Sequence, residues 1–108
     1  MAMTIDDVAE KFIDHAQSYD KTAPNKNWYV GITSNPEARK KRHEDEKDIK
    51  CKHFKYMEFK NEAIARELEQ KLKRYGFSIS PKDLLILEGK HKPKNHVYIY
   101  QAVSSRQA

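Results

Sequence analysis

Apolar residues recur at Ile5, Val8, Ala9, Phe12, Ile13 and Ala16, the three- and four-residue spacing of one helical face. Thr4 precedes them as an N-cap, and Asp7, three positions on, can bond back to the cap amide while suiting the positive end of the helix dipole. A helix is therefore predicted over about residues 5–18. Tyr19 to Asn27, with Pro24 and two asparagines, breaks the pattern and reads as a connection. The β-branched and aromatic run at about residues 27–33 predicts a strand. Asn35 and Pro36 then supply an N-cap and a first helical residue whose missing N–H would be unpaired in any case. The chain thus passes from strand to helix within three residues, Ser34 to Pro36, and the amide groups at that helix start face any anion brought to the corner.

The helix predicted over about residues 36–47 has few apolar side chains; Arg39, Arg42, His43 and Glu46 share one of its faces. Phe54 and Tyr56, and less cleanly Met57 and Phe59, alternate with polar neighbours, which predicts a strand over about residues 51–59 containing a bulge. On such a strand Cys51 and His53 share a face, but no further ligands follow at a zinc-site spacing, and a structural zinc is not expected. Asn61 can cap a further helix whose apolar stripe is Ile64, Ala65, Leu68, Leu72 and Tyr75. Gly76 ends it, with Lys71, Lys73 and Arg74 beside the last carbonyls. Ser80 to Asp83 resembles another helix start. Leu84 to Leu87 fits a short helix or a strand, and residues 89–95 form a basic loop with Lys90, His91, Lys92 and Lys94. His96 to Val103 is a clear strand, with Val97 and Ile99 facing one way and Tyr98 and Tyr100 the other.

These elements predict one α/β (α+β) domain in 108 residues, a small antiparallel sheet of about three strands flanked by helices. The surface is heavily charged: 34% of residues are Asp, Glu, Lys or Arg, and the net charge is +5. That balance accommodates a polyanionic partner, although it also serves solubility alone. Cys51 is the only cysteine, which excludes an intrachain disulfide. No apolar run reaches the ~20 residues needed to span a bilayer, and no signal-peptide core precedes the first helix. A cytoplasmic protein with no membrane partner is expected.

Tyr29-Val30-Gly31, Arg39 ten residues after the tyrosine and His43 one helical turn later together resemble the second half of the GIY-YIG nuclease signature. Ala65 and Glu69 are similar to the alanine and the metal-binding glutamate of that family's central helix. The resemblance covers residues 28–76. The first half of the signature, a Gly-Ile-Tyr strand, has no counterpart, because the region before Tyr29 is the connection from Tyr19 to Asn27. The resemblance implies a compact nuclease fold and divalent-metal-dependent cleavage of nucleic acid, DNA ahead of RNA. Glu69 would hold Mg²⁺ or Mn²⁺, Arg39 would grip the scissile phosphate, Tyr29 would orient or deprotonate the attacking water, and His43 would assist proton transfer.

The residues themselves bear on this chemistry. Glu69 lies about 90° from the centre of the apolar stripe, on the side of Ala65, and so reaches the rim of a site built on the sheet. An arginine fork suits the non-bridging oxygens of a phosphate, being planar, bidentate and permanently charged. The missing tyrosine has two candidate replacements, Tyr98 and Tyr100, if the C-terminal strand pairs beside the Tyr29 strand; alternatively both simply pack. Gly31, Lys40, Lys41, Arg42, Lys90 and Lys92 are candidate nucleic-acid contacts, with Lys52, Lys55 and Lys94 as further cations. Two other function classes fit the same residues. One is a nuclease scaffold that binds nucleic acid without cutting, and the other is a protein-binding module using the charged helix. So short a chain carries no separate DNA-reading module, so target choice would come from nucleic-acid structure, a partner or a homodimer.

Overall fold

The computed structural model describes residues 4–47, 49–79 and 94–104. Helix α1 (Ile5–Tyr19) is followed by strand β1 (Trp28–Thr33), helix α2 (Pro36–Lys47), strand β2 (Ile49–Glu58), helix α3 (Glu62–Tyr75), strand β3 (Ser78–Ile79) and strand β4 (His96–Ser104). The fold is α+β, a small sheet flanked by helices as the pattern predicts. Among the described residues the sheet has four strands in the order β2-β4-β1-β3 rather than three, and it is mixed, because the two-residue β3 runs parallel to β1. So short an edge strand leaves no period in the sequence. The predicted helix start at Ser80, the run Leu84 to Leu87 and Lys90 and Lys92 all lie outside the described residues.

The helix boundaries follow from their caps. Thr4 Oγ1 accepts from the Asp7 amide at 3.1 Å and Asp7 returns a carboxylate to the Thr4 amide at 3.2 Å, a capping box. Asn35 Oδ1 accepts from the Ala38 amide and Asn61 Oδ1 from the Ile64 amide. At the end of α3 the Phe77 amide reaches Leu72 O and the Gly76 amide reaches Lys73 O, a Schellman closure at a glycine with φ +125°. Phe77, 2% exposed, thereby takes the next core place after Leu72. Tyr75, assigned to the stripe by spacing, is 52% exposed instead, because the helix ends there and the chain beyond the glycine fills the core position.

β1 lies between β3 and β4, and its antiparallel register with β4 sorts the side chains of both strands. Trp28, Val30, Ile32, Val97 and Ile99 form one face, packed under Val8, Ala9, Phe12 and Ala16 of α1 and Ala65, Leu68 and Leu72 of α3. Tyr98 and Tyr100 lie on the other face with Tyr29, Cys51 and Phe54. The strand carrying Tyr98 and Tyr100 thus does pair beside the Tyr29 strand, with Tyr29 opposite Tyr100 and Gly31 opposite Tyr98.

The expected bulge in β2 is present as a register shift between Lys52 and Lys55, with His53 at φ +56°. It corrects the pairing of Cys51 with His53 on one face. Cys51 is buried among the tyrosines, whereas His53 stacks on Tyr19 of α1 with ring centroids 3.7 Å apart. The connection before β1 is ordered around Asp20, whose carboxylate accepts from the Thr22 amide and hydroxyl, the Asn25 amide group and the Trp28 indole N–H. Those bonds, the Thr22 hydroxyl first, lower the Asp20 pKa from an ordinary 3.8 to about 2. A lowered folded-state value stabilises the fold at pH above the unfolded value, and that stability is lost as pH falls toward about 2. The urea midpoint of the wild type should therefore fall as pH drops from about 4 to about 2, and the slope should be shallower in Asp20→Asn. Equal slopes would remove Asp20 as the organiser of this connection.

Candidate functional site

A cavity of about 290 Å³ opens where β1, α2, α3 and β4 meet, lined by Gly31, Ile32, Arg39, Arg66, Glu69, Gln70, Lys73, Ile79, Lys94 and Tyr98. Each element contributes for a local reason. Thr33 Oγ1 accepts from the Asn35 amide at 3.1 Å, closing the strand-to-helix turn. With Asn35 capping, α2 starts at Pro36 and Arg39 falls in its first turn, facing back toward the strand. Arg39 is only 5% exposed and His43, one turn later, 3%. A helix without an apolar stripe thus packs on the sheet through two polar side chains, which is tolerable only because each interacts with its neighbours.

Tyr98 reaches the cavity because it lies over Gly31. A Cβ at Gly31 would sit 2.6 Å from Tyr98 Cζ and 2.9 Å from Cε1. Real Cβ atoms essentially never come so close, so any larger residue here would have to displace the Tyr98 ring. The Tyr98 hydroxyl lies 3.3 Å from His43 Nε2, a buried contact that couples the cavity to α2. The ring is held from behind by Phe54, stacked at 5.5 Å, and by Tyr100 at 6.0 Å.

Of the residues singled out by sequence, Gly31, Arg39, Glu69 and Tyr98 are brought together on this cavity, and His43 touches it through Tyr98. Tyr29 and Tyr100 stack on each other at 5.5 Å and stand outside the lining. Arg42 and Lys40 are half-buried on α2, with the Lys40 ammonium 5.8 Å from the centroid of the Phe54 ring, and Lys41 is exposed; none of the three lines the cavity. Sequence reasoning passed over Arg66 and Gln70, and it took Lys73 only as a charge at the helix end. The signal was there: Arg66, Glu69, Gln70 and Lys73 follow at three-, four- and seven-residue steps on one side of α3.

Among the described residues the cavity lining is cationic, with Arg39, Arg66, Lys73 and Lys94 beside the carboxylate of Glu69. Among the described residues no three His, Cys, Asp or Glu side chains gather as a protein-only metal cage would need. Mg²⁺, however, keeps several waters and is commonly held by one or two carboxylates plus a phosphate, so the one glutamate of this cationic lining is compatible with a cation that arrives together with a phosphate. Cys51 belongs to the aromatic packing behind the site. Burial, with Glu44 nearby, pushes its thiol up to about 12, far from the range of a nucleophile or metal ligand at neutral pH. A second hollow, of about 320 Å³, is lined by Lys71, Arg74 and Tyr75; Lys71 there is paired with Asp6 of α1.

Comparison with protein-family models, with curated proteins and with solved structures returned no match, so the chemistry of the site rests on its geometry. The overlap at Gly31 makes a direct prediction. Gly31→Ala should destabilise the fold by about 1–3 kcal/mol through overpacking. In the Gly31→Ala/Tyr98→Ala double variant the two changes should couple favourably by at least about 1 kcal/mol, because removing the ring frees the space. Additive effects in urea unfolding would mean that the ring does not depend on the glycine.

Proposed function

We propose that this protein is an endonuclease that hydrolyses phosphodiester bonds in nucleic acid, DNA ahead of RNA, using Mg²⁺ or Mn²⁺ held at Glu69. The observation that supports the reading is the convergence of Gly31, Arg39, Glu69 and Tyr98, from four elements, on one cationic cavity. The resemblance to the GIY-YIG signature is supported by the pairing of β4 beside β1, which brings a strand bearing Tyr98 and Tyr100 next to Tyr29-Val30-Gly31.

Arg39 binds the scissile phosphate, its planar fork matching two non-bridging oxygens and its charge opposing the negative charge that gathers on them. Gly31 lets the Tyr98 ring approach β1 closely. The Tyr98 hydroxyl orients the attacking water, and His43 Nε2, in contact with that hydroxyl, takes up or returns a proton. When bound, the divalent cation supplies Lewis acidity and leaving-group stabilisation. Tyr29 and Tyr100 hold the platform behind Tyr98 by stacking. The setting is the reducing cytoplasm, in keeping with the single thiol. A second reading, binding without cleavage, is favoured by one feature: four cations line the cavity against one carboxylate, which suffices for phosphate binding alone.

Cleavage of single-stranded, duplex and branched DNA and RNA, with Mg²⁺ or Mn²⁺ and with chelator, separates the two. Metal-dependent cutting should fall by roughly 100-fold or more in each of Arg39→Ala and Glu69→Ala. Binding without cutting on every substrate would overturn the hydrolase and leave the binding module.

A further inference from the structure

Three cations of the cavity wall have no part in the chemistry above: Arg66 and Lys73 of α3, and Lys94 in the segment that enters β4. Arg66 and Lys73 are two helical turns apart on one side of α3, which separates their Cα atoms by about 10 Å along the axis. The cavity thus has one cationic wall at Arg39 and a second, longer one on α3.

The second wall is organised by a carboxylate. Arg66 Nε and Nη2 each lie 2.8 Å from Glu62 Oε2, while Glu62 Oε1 accepts the Lys94 amide at 3.0 Å. The Lys94 amide first, and then Arg66, pull the Glu62 carboxyl below the usual carboxylate range, so it is ionised at neutral pH. Asn95 continues the tie: its side chain donates to Phe59 O at 3.0 Å and its carbonyl accepts the Phe59 amide at 2.8 Å. One glutamate therefore fixes the guanidinium of Arg66 and the backbone of Lys94 at the same rim. Charge matching leads further. Arg66, Lys73 and Lys94 bring three cationic side chains to the α3 wall beside the carboxylate of Glu62, and Arg39 stands on the other wall. A single phosphodiester carries one negative charge and reaches one wall, whereas two consecutive linkages offer one charge to each.

We propose that Arg66, Lys73 and Lys94, positioned by Glu62, form a second phosphate subsite that takes the linkage next to the one at Arg39. The ligand is then a polynucleotide strand with at least two consecutive anionic linkages, not a lone phosphodiester. This rests on the reading that the cavity takes the nucleic-acid backbone, and not on cleavage.

The test is binding of the thymidine trinucleotide, with its two anionic linkages, to the full chain at low salt in chelator, compared with the same trinucleotide carrying one neutral methylphosphonate linkage. Neutralising one linkage should weaken binding to the wild type roughly tenfold, the worth of one charge-assisted phosphate contact. The Arg66→Gln/Lys73→Gln variant, its fold checked by circular dichroism, should bind the two forms within about twofold of each other. Glu62→Gln should move the ratio the same way. Arg74→Gln, which removes an α3 cation outside the cavity, should keep the wild-type ratio. A wild-type ratio in the double variant overturns the subsite, as does a ratio that collapses equally in Arg74→Gln, since that marks general charge attraction. If binding is lost in Arg39→Ala while the ratio ignores the α3 variants, the cavity reading survives and only the subsite falls. Binding indifferent to Arg39→Ala overturns both.

Discussion

The antiparallel register of β1 with β4 is the constraint on which the rest of the molecule depends. Side chains alternate along a strand, so setting Gly31 opposite Tyr98 also decides what every neighbouring residue faces. Trp28, Val30, Ile32, Val97 and Ile99 go to the side covered by α1 and α3, and they carry the hydrophobic core. Tyr29, Tyr98 and Tyr100 go to the side covered by α2. A slip by one residue would bury the tyrosine hydroxyls under α3 and expose the core. The same register brings a hydroxyl from the last strand of the chain to the corner formed by β1 and α2.

The two faces of the sheet do different work. Under α1 and α3 the packing is apolar and the helix ends are closed by conventional caps, which is where stability resides. Under α2 the contact is made by Arg39, His43 and rings, an arrangement that gains little from the hydrophobic effect and burdens the fold with buried polar groups. Functional sites commonly hold such locally unfavourable arrangements, supported by well-packed surroundings. Here the support is the stack of Phe54, Tyr98, Tyr100 and Tyr29, which leaves the tyrosine ring beside His43 little room to move.

Much of this was legible in the sequence because the signals were local. Thr4, Asn35, Asn61 and Gly76 each marked a helix end through a bond the chain makes within a few residues. The alternation of Val97 and Ile99 with Tyr98 and Tyr100 gave the two faces of β4, and the mixed pattern after Cys51 announced the bulge. What stayed hidden depended on distant partners. The bulge turns His53 toward Tyr19, so a period of two misplaces it. β3 exists only because β1 offers an edge beside it. The cationic side of α3 reads as an ordinary solvated face until Glu62 is seen holding both Arg66 and the start of the last strand. Glu69 could be placed by angle alone, whereas its neighbours Arg66, Gln70 and Lys73 needed the cavity to give them meaning.

Under the proposed hydrolysis, which tyrosine hydroxyl would serve the site is the sharpest question the register poses. Metal-dependent cleavage by Tyr98→Phe, Tyr100→Phe and Tyr29→Phe, compared at equal loading, answers it, because phenylalanine preserves the stack and the ring over Gly31 while removing only the hydroxyl. Loss of roughly 100-fold or more in Tyr98→Phe, with activity retained within about threefold in the other two, is the expected result, in line with the removal of a group that orients or accepts a proton. Full cleavage by Tyr98→Phe would contradict it and detach the last strand from the chemistry of the corner.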